Sequence, residues 1–146
     1  PDDVDWLEFV SPLRGLWSEW VSFSRAAGWP VLLGFNAADT GIAIEGMDDR
    51  ALVHSALGAL RLMFGASVPE PVSAQITRWH GDPFSLGSYS FNATGSSART
   101  RAALKGDEGT RVLLAGEAAS AQHPGTVHGA FQSGEATAKA VLKRLG

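Results

Sequence analysis

The chain has 146 residues, 45% of them apolar, with 12 Lys and Arg against 15 Asp and Glu, 17 Gly and no Cys. Length and apolar content suit one compact domain and exclude disorder and collagen-like repeats, while the missing Cys excludes disulfide scaffolds, thiolate metal sites and thiol catalysis. A net charge of −3 provides no basic stripe for phosphate backbones or anionic membranes, so nucleic acid is not an expected partner.

The chain opens Pro1-Asp2-Asp3, with no Met, basic n-region or apolar h-region, and runs at once into Trp6-Leu7-Glu8-Phe9-Val10. It is expected to be a fragment. No apolar stretch approaches the roughly 18 residues needed to cross a bilayer, so no membrane partner is expected. Trp20 to Arg25 and Val31 to Asn36 are aromatic and β-branched runs separated by Gly28-Trp29-Pro30, a pattern that predicts two strands joined by a turn. Residues 38–46 fit a strand or a short helix. From Asp49 to Phe64 the apolar residues Val53, Ala56, Leu57, Leu60, Met63 and Phe64 recur three and four apart, predicting a helix with Asp48 as N-cap and Gly65 as stop.

Pro69 and Pro71 then break the chain, and Val72, Ala74 and Ile76 alternate with Ser73, Gln75 and Thr77 as in a half-buried strand ending at Trp79. Asn92 to Gly109 is turn-rich, with Gly95-Ser96-Ser97 and Lys105-Gly106-Asp107-Glu108-Gly109, and marks a boundary. Arg111-Val112-Leu113-Leu114-Ala115 reads as a short strand buried on both faces, which would need neighbouring strands from an upstream half of the protein. A second helix is expected from Thr126 to Leu145, its buried side formed by Val127, Ala130, Phe131, Gly134, Ala138, Val141, Leu142 and Leu145.

Four histidines, His54, His80, His123 and His128, have no metal-ligand spacing, and no metal is expected. A G-x-S-x-G nucleophile elbow is missing, so hydrolase readings fail. What remains is Gly116-Glu117 after a strand, a loop with Pro124-Gly125, and a helix starting at Thr126-Val127. A helix start carries unsatisfied N–H groups and partial positive charge, a seat for an electron-rich ligand group, and an acidic residue just past a strand suits a ribose hydroxyl. Gly116 and Gly125 serve equally well as turn and cap glycines. For the cluster Trp79-His80-Gly81-Asp82-Pro83-Phe84 with Gly87-Ser88-Tyr89-Ser90, aromatic core packing is by itself the commoner explanation than a cofactor box.

Ile76-Thr77-Arg78-Trp79, Asp82-Pro83, Gly87-Ser88-Tyr89-Ser90, Leu114-Ala115-Gly116-Glu117, Pro124-Gly125-Thr126-Val127-His128-Gly129-Ala130 and Ser133-Gly134, in this order and spacing, resemble the C-terminal part of the flavin-containing amine oxidase family. The polyamine oxidase and histone lysine demethylase branch is the most similar. The resemblance implies a mixed α/β (α+β) two-domain enzyme. Residues 1–105 would belong to the substrate-binding domain and residues 106–146 to the C-terminal part of the FAD-binding domain.

By the same resemblance, Glu117 matches the acidic residue near the FAD diphosphate and ribityl region, and Thr126 and Val127 match the helix start that meets the isoalloxazine. Trp79, Phe84, Ser88 and Tyr89 match flavin-side and substrate-cage positions, and Gly116 and Gly125 bring backbone close to FAD. Tyr89 and Thr126 would be the catalytic contributions. The family's relatives with covalent flavin carry Cys where this chain has Ser88, so FAD is expected to be non-covalent. Thr126 replaces a second cage aromatic of some relatives, leaving Tyr89, the single Tyr of the chain, as the evident cage residue.

The chain has no G-x-G-x-x-G after a strand. The pyrophosphate fingerprint and the family's flavin-proximal Lys are therefore expected in an N-terminal half, on the same precursor or a separate chain. The implied reaction is oxidative deamination of a small amine: flavin accepts a hydride equivalent from the carbon next to nitrogen, the imine is hydrolysed, and oxygen takes the electrons. An amino-acid oxidase or desaturase of the same superfamily is the alternative, distinguished by a carboxylate-binding Arg among Arg14, Arg25 and Arg78. A non-catalytic scaffold fragment is the third reading.

Overall fold

A computed structural model describes residues 3–105 and 111–146. The fold mixes helices with a small antiparallel sheet. It divides into two compact units, Pro1–Pro83 and Phe84–Gly146, whereas the boundary expected at 105/106, in the Gly106 to Gly109 turn, falls outside the described residues.

In the first unit, β1 (Trp6–Glu8), β2 (Glu19–Ser22) and β3 (Leu32–Phe35) form a sheet in that order. The run expected as a strand to Arg25 stops at Ser22, because α1 (Ser24–Ala27) follows and ends on Gly28 in the left-handed region. Leu7, Trp20 and Gly34 stand side by side across the three strands. Gly34 is required there: a Cβ would lie 2.9 Å from the Trp20 ring and 3.0 Å from Trp17. The two indoles stack at 5.5 Å, and both N–H groups are satisfied, Trp20 Nε1 by the Trp17 carbonyl at 2.8 Å and Trp17 Nε1 by Ser55 Oγ at 2.9 Å.

The ambiguous residues form a helix, α2 (Ala38–Glu45), and α3 spans Asp49–Phe64 with the expected cap and stop. Asp48 Oδ1 accepts from the Ala51 N–H at 2.9 Å. The expected face of α3 is largely kept, with Leu57 buried and Ala56, Leu60 and Met63 packed on the core, but Leu52 and Ala59 join Trp17 and Trp20 there as well and Phe64 is exposed. Two bulky indoles on one side of the helix select the small Ala59 as their neighbour.

The expected strand at Val72 to Thr77 does not form. No strand lies beside this segment among the described residues, and Ile76 alone of its alternating apolar residues packs on the core. Its end is fastened by side chains instead. Arg78 donates from Nε to the Glu45 carbonyl (3.1 Å) and from Nη2 to the Met47 carbonyl (2.7 Å), and pairs with Asp49 at 2.8 Å. The Glu45 carboxylate accepts in return from the His80 and Gly81 N–H groups, both at 3.2 Å.

The second unit contains α4 (Ala98–Ala103), a 3-10 turn at Glu117–Ala119, and α5 (Val127–Leu145). The turn-rich stretch from Asn92 thus also holds a helix, opened by a capping box between Ser97 and Thr100. Arg111 to Ala115 is not a buried strand: Val112 and Leu114 are exposed, and no strand pairs with the segment among the described residues. On α5 the expected face is also corrected. Gly129 and Ser133 are the buried residues, whereas Val127 is 89%, Phe131 68% and Leu145 80% exposed. The small-residue face admits the backbone of the preceding loop, and the large apolar residues of the other face are left exposed by the described residues.

Candidate functional site

The site in the second unit is organised by the Glu117 carboxylate. Oε1 accepts from the Ser90 N–H at 2.7 Å, and Oε2 accepts from the Ser90 hydroxyl at 2.7 Å and from the Gly125 N–H at 2.5 Å. Behind Ser90 stands Arg101, buried on α4, with Nη1 donating to Ser90 Oγ at 2.6 Å and to the Ala118 carbonyl at 3.2 Å, and Nε to Asn92 Oδ1 at 2.7 Å. Burial acts to raise the pKa of Glu117. The bonds from the Ser90 hydroxyl, the Ser90 N–H and the Gly125 N–H, together with the Arg101 charge, outweigh it and hold the carboxyl below its ordinary value.

This network fixes a loop against the start of α5. Thr126 is the N-cap: its Oγ1 accepts from the Gly129 N–H at 3.0 Å and donates to the His123 carbonyl at 2.8 Å. Gly129 lets the loop approach so closely that a Cβ there would collide with the His123 carbonyl and stand 2.9 Å from Thr126 Oγ1. Lower on the same face Ser133 Oγ accepts from the Gly116 N–H at 3.3 Å. The rings of His123 and His128 stand 4.6 Å apart at this helix start.

Of the residues singled out from sequence, Gly116, Glu117, Gly125, Thr126 and Val127 lie on this loop and helix start. Tyr89 joins them, since a Cβ at Gly125 would stand 3.7 Å from Tyr89 Cδ2. Its ring is 67% exposed. Phe84 and Ser88 are exposed in the same unit, and Trp79, half exposed, belongs to the first unit just after Arg78. Glu117 has its carboxylate engaged by protein donors, so the ribose-binding role expected for an acidic residue after a strand is not needed to explain its placement.

The model of the family described as flavin containing amine oxidoreductase matches residues 4–142. The chain belongs to this flavin-containing amine oxidoreductase family. Among its relatives are two from Arabidopsis thaliana: "Lysine-specific histone demethylase 1 homolog 1", 39% identical over 134 residues, covering 89% of this chain and 16% of the relative, and "homolog 2", 35% identical over 132 residues, covering 88% and 18%. "Polyamine oxidase 4" of Oryza sativa subsp. japonica is 34% identical over 143 residues, covering 98% of this chain and 29% of the relative. The chain therefore spans less than a third of the length of these relatives.

As part of a flavin-containing amine oxidoreductase, the second unit has features that fit the family's cofactor. Gly116, at φ 145°, has nothing within 4 Å of where a Cβ would stand, so its backbone is open to close approach. Val127 and Phe131 offer bare apolar surface suited to an aromatic ring system. The Thr126 hydroxyl is committed to the cap, so a ligand at this helix start meets backbone and the Val127 side chain rather than that hydroxyl.

Ser90, Asn92 and Arg101 were not among the sequence candidates. The only local sign was the position of Ser90 beside Tyr89, because a Ser, an Asn and an Arg lying 9 to 27 residues from their partners carry no spacing pattern. Two of the Arg candidates for a substrate carboxylate are already engaged, Arg78 with the α2–α3 junction and Arg25 with Asp5.

Proposed function

We propose that this chain is the C-terminal portion of an FAD-dependent amine oxidase, acting with an N-terminal half that carries the dinucleotide-binding motif and the flavin-proximal Lys. The observation that carries the reading is the Glu117 network, which joins the segment bearing Tyr89 to the loop bearing Gly125 and Thr126. Family membership supplies the chemistry, and the network ties the segment of Tyr89 to Gly125 and Thr126, three of the residues that match the family's flavin and cage positions.

FAD held here would supply two-electron oxidation of the carbon next to the amine nitrogen, with oxygen as the final acceptor. The chain's own residues bind and orient. Gly116 and Gly125 present backbone, and Glu117 holds the loop in place. The N-terminal end of α5, with its Val127 side chain, would face the flavin ring, where the positive end of the helix stabilises negative charge on the reduced ring. Phe84 and Ser88 match further flavin-side positions of the second unit, and Trp79 matches one in the first.

Tyr89 forms a cage wall. Its ring face attracts the amine while protonated and gives an apolar surface once the amine is neutral, and orientation by such a wall raises the rate by holding the reacting carbon in line. Ser88 has no thiol to offer, so FAD is held non-covalently. The substrate is a small amine or an aminoalkyl side chain.

Tyr89→Ala in the flavin-loaded enzyme is expected to slow anaerobic flavin reduction by roughly ten- to a hundredfold with FAD content nearly unchanged. An unaltered reduction rate would remove Tyr89 from the cage.

A further inference from the structure

Arg101 is 6% exposed. A guanidinium does not lose its proton, so burying one calls for a counter-charge and a full set of acceptors. Among the described residues, Asn92 Oδ1, Ser90 Oγ and the Ala118 carbonyl accept from Arg101 Nε and Nη1. The counter-charge in the network is Glu117, reached through the Ser90 hydroxyl, which accepts from Arg101 at 2.6 Å and donates to Glu117 Oε2 at 2.7 Å. Arg101 thereby sets the direction of the Ser90 O–H.

We propose that Arg101 is a positioning residue: acting through Ser90 and Glu117, it fixes together the two backbone segments that carry Tyr89 and Thr126. Ser90 directly follows Tyr89, and Gly125 directly precedes Thr126. Both of these neighbours donate backbone N–H groups to the same carboxylate, and the Tyr89 ring lies against Gly125.

With the guanidinium withdrawn, the Ser90 hydroxyl is free to rotate and Glu117 loses its counter-charge. There is room for that change, because an open depression lined by Ser90, Asn92, Ser96, Arg101 and Leu104 among others adjoins the network. A fixed charge pair bridged by one hydroxyl is a means of holding a cage wall that does not depend on an apolar core. The effect on Tyr89 geometry stands without flavin, and its catalytic consequence rests on the amine oxidase reading above.

Tyr89 is the one tyrosine of the chain, so selective ring labelling gives a single probe in NMR. Arg101→Met in the 146-residue chain is expected to shift and broaden the Tyr89 ring signal and to weaken its cross-peak to Gly125. Arg101→Lys, which keeps the charge but not the fork, should give a smaller shift. Ser90→Ala, which removes the bridging hydroxyl and leaves Arg101, should reproduce the change seen in Arg101→Met. If Arg101→Met fails to fold, Arg101→Lys and Ser90→Ala carry the test.

A Tyr89 signal and Gly125 cross-peak identical to the parent in the folded variants overturn the proposal, since a role in stability alone leaves the folded-state ring unmoved. With flavin bound, Arg101→Met should lower the rate of anaerobic reduction at saturating amine roughly tenfold while flavin content is retained. An unchanged rate beside an altered Tyr89 signal overturns the catalytic half. A protein that takes up no flavin sinks the amine oxidase reading and leaves the NMR result standing.

Discussion

The two units of this chain are held by different forces. In the first, stacked indoles at Trp17 and Trp20 pack on Leu52 and Ala59, an apolar core whose stabilisation scales with area removed from water. In the second, the buried ones among the described residues are Arg101, Ala119, Ser120, Gly129 and Ser133, and one carboxylate and one guanidinium organise the hydrogen bonds of the site. Apolar packing tolerates changes of pH and salt, whereas a charged network responds to both. The unit with the charged network is also the one that gathers most of the candidate flavin-side residues, which suits a site whose groups must be held in place while its apolar surface stays open.

The largest expected effect breaks the first unit alone. Trp20→Ala should cost about 3–5 kcal/mol, read as loss of first-unit signals in a denaturant titration while the second-unit signals keep their midpoint. Loss of both together would mean that the units do not unfold separately. Gly129→Ala strikes the second unit by driving a Cβ into the His123 carbonyl, at a cost of about 1–3 kcal/mol. The matching control, Gly134→Ala, meets nothing within 4 Å and should be neutral or slightly stabilising.

Glu117→Gln should cost roughly 1–2 kcal/mol, because the carboxylate's charge-assisted bonds are only partly shielded from water. It should also remove a pH dependence. A carboxylate with a depressed folded-state pKa stabilises the fold above its unfolded value, and that stabilisation disappears as pH falls through the lower folded value. The parent second unit should therefore lose stability on acidification below the ordinary Glu range, and the Gln variant should lose less over the same interval. Parallel pH profiles would contradict the charge-based account. The smallest effect is at Asp48→Ala, where loss of the α3 cap should cost about 1 kcal/mol in the first unit only.

The contrast also explains how much of the molecule was legible in the sequence. Helix α3 was readable to its ends because cap, period and stop are all local: Asp48, the three-four spacing and Gly65. The extent of α5 was readable for the same reason, but its buried face was not. The rule that apolar residues face inward presumes that the chain covers them, and here Val127, Phe131 and Leu145 are bare. The runs at Val72 and at Arg111 have strand-like composition without a strand beside them among the described residues, and sheet formation depends on a neighbour that no single segment encodes. Within the site, Glu117, Gly125, Thr126 and Tyr89 were marked by motif order, whereas Arg101 and Asn92 were hidden in a stretch that reads as turns.

The most direct measurement is the absorbance spectrum of the chain purified together with an N-terminal dinucleotide-binding half, before and after acid precipitation and on anaerobic addition of a polyamine. Flavin bands should move to the supernatant on precipitation and bleach with the amine. Colourless protein that also takes up no added FAD, or flavin that stays with the precipitate, would contradict it.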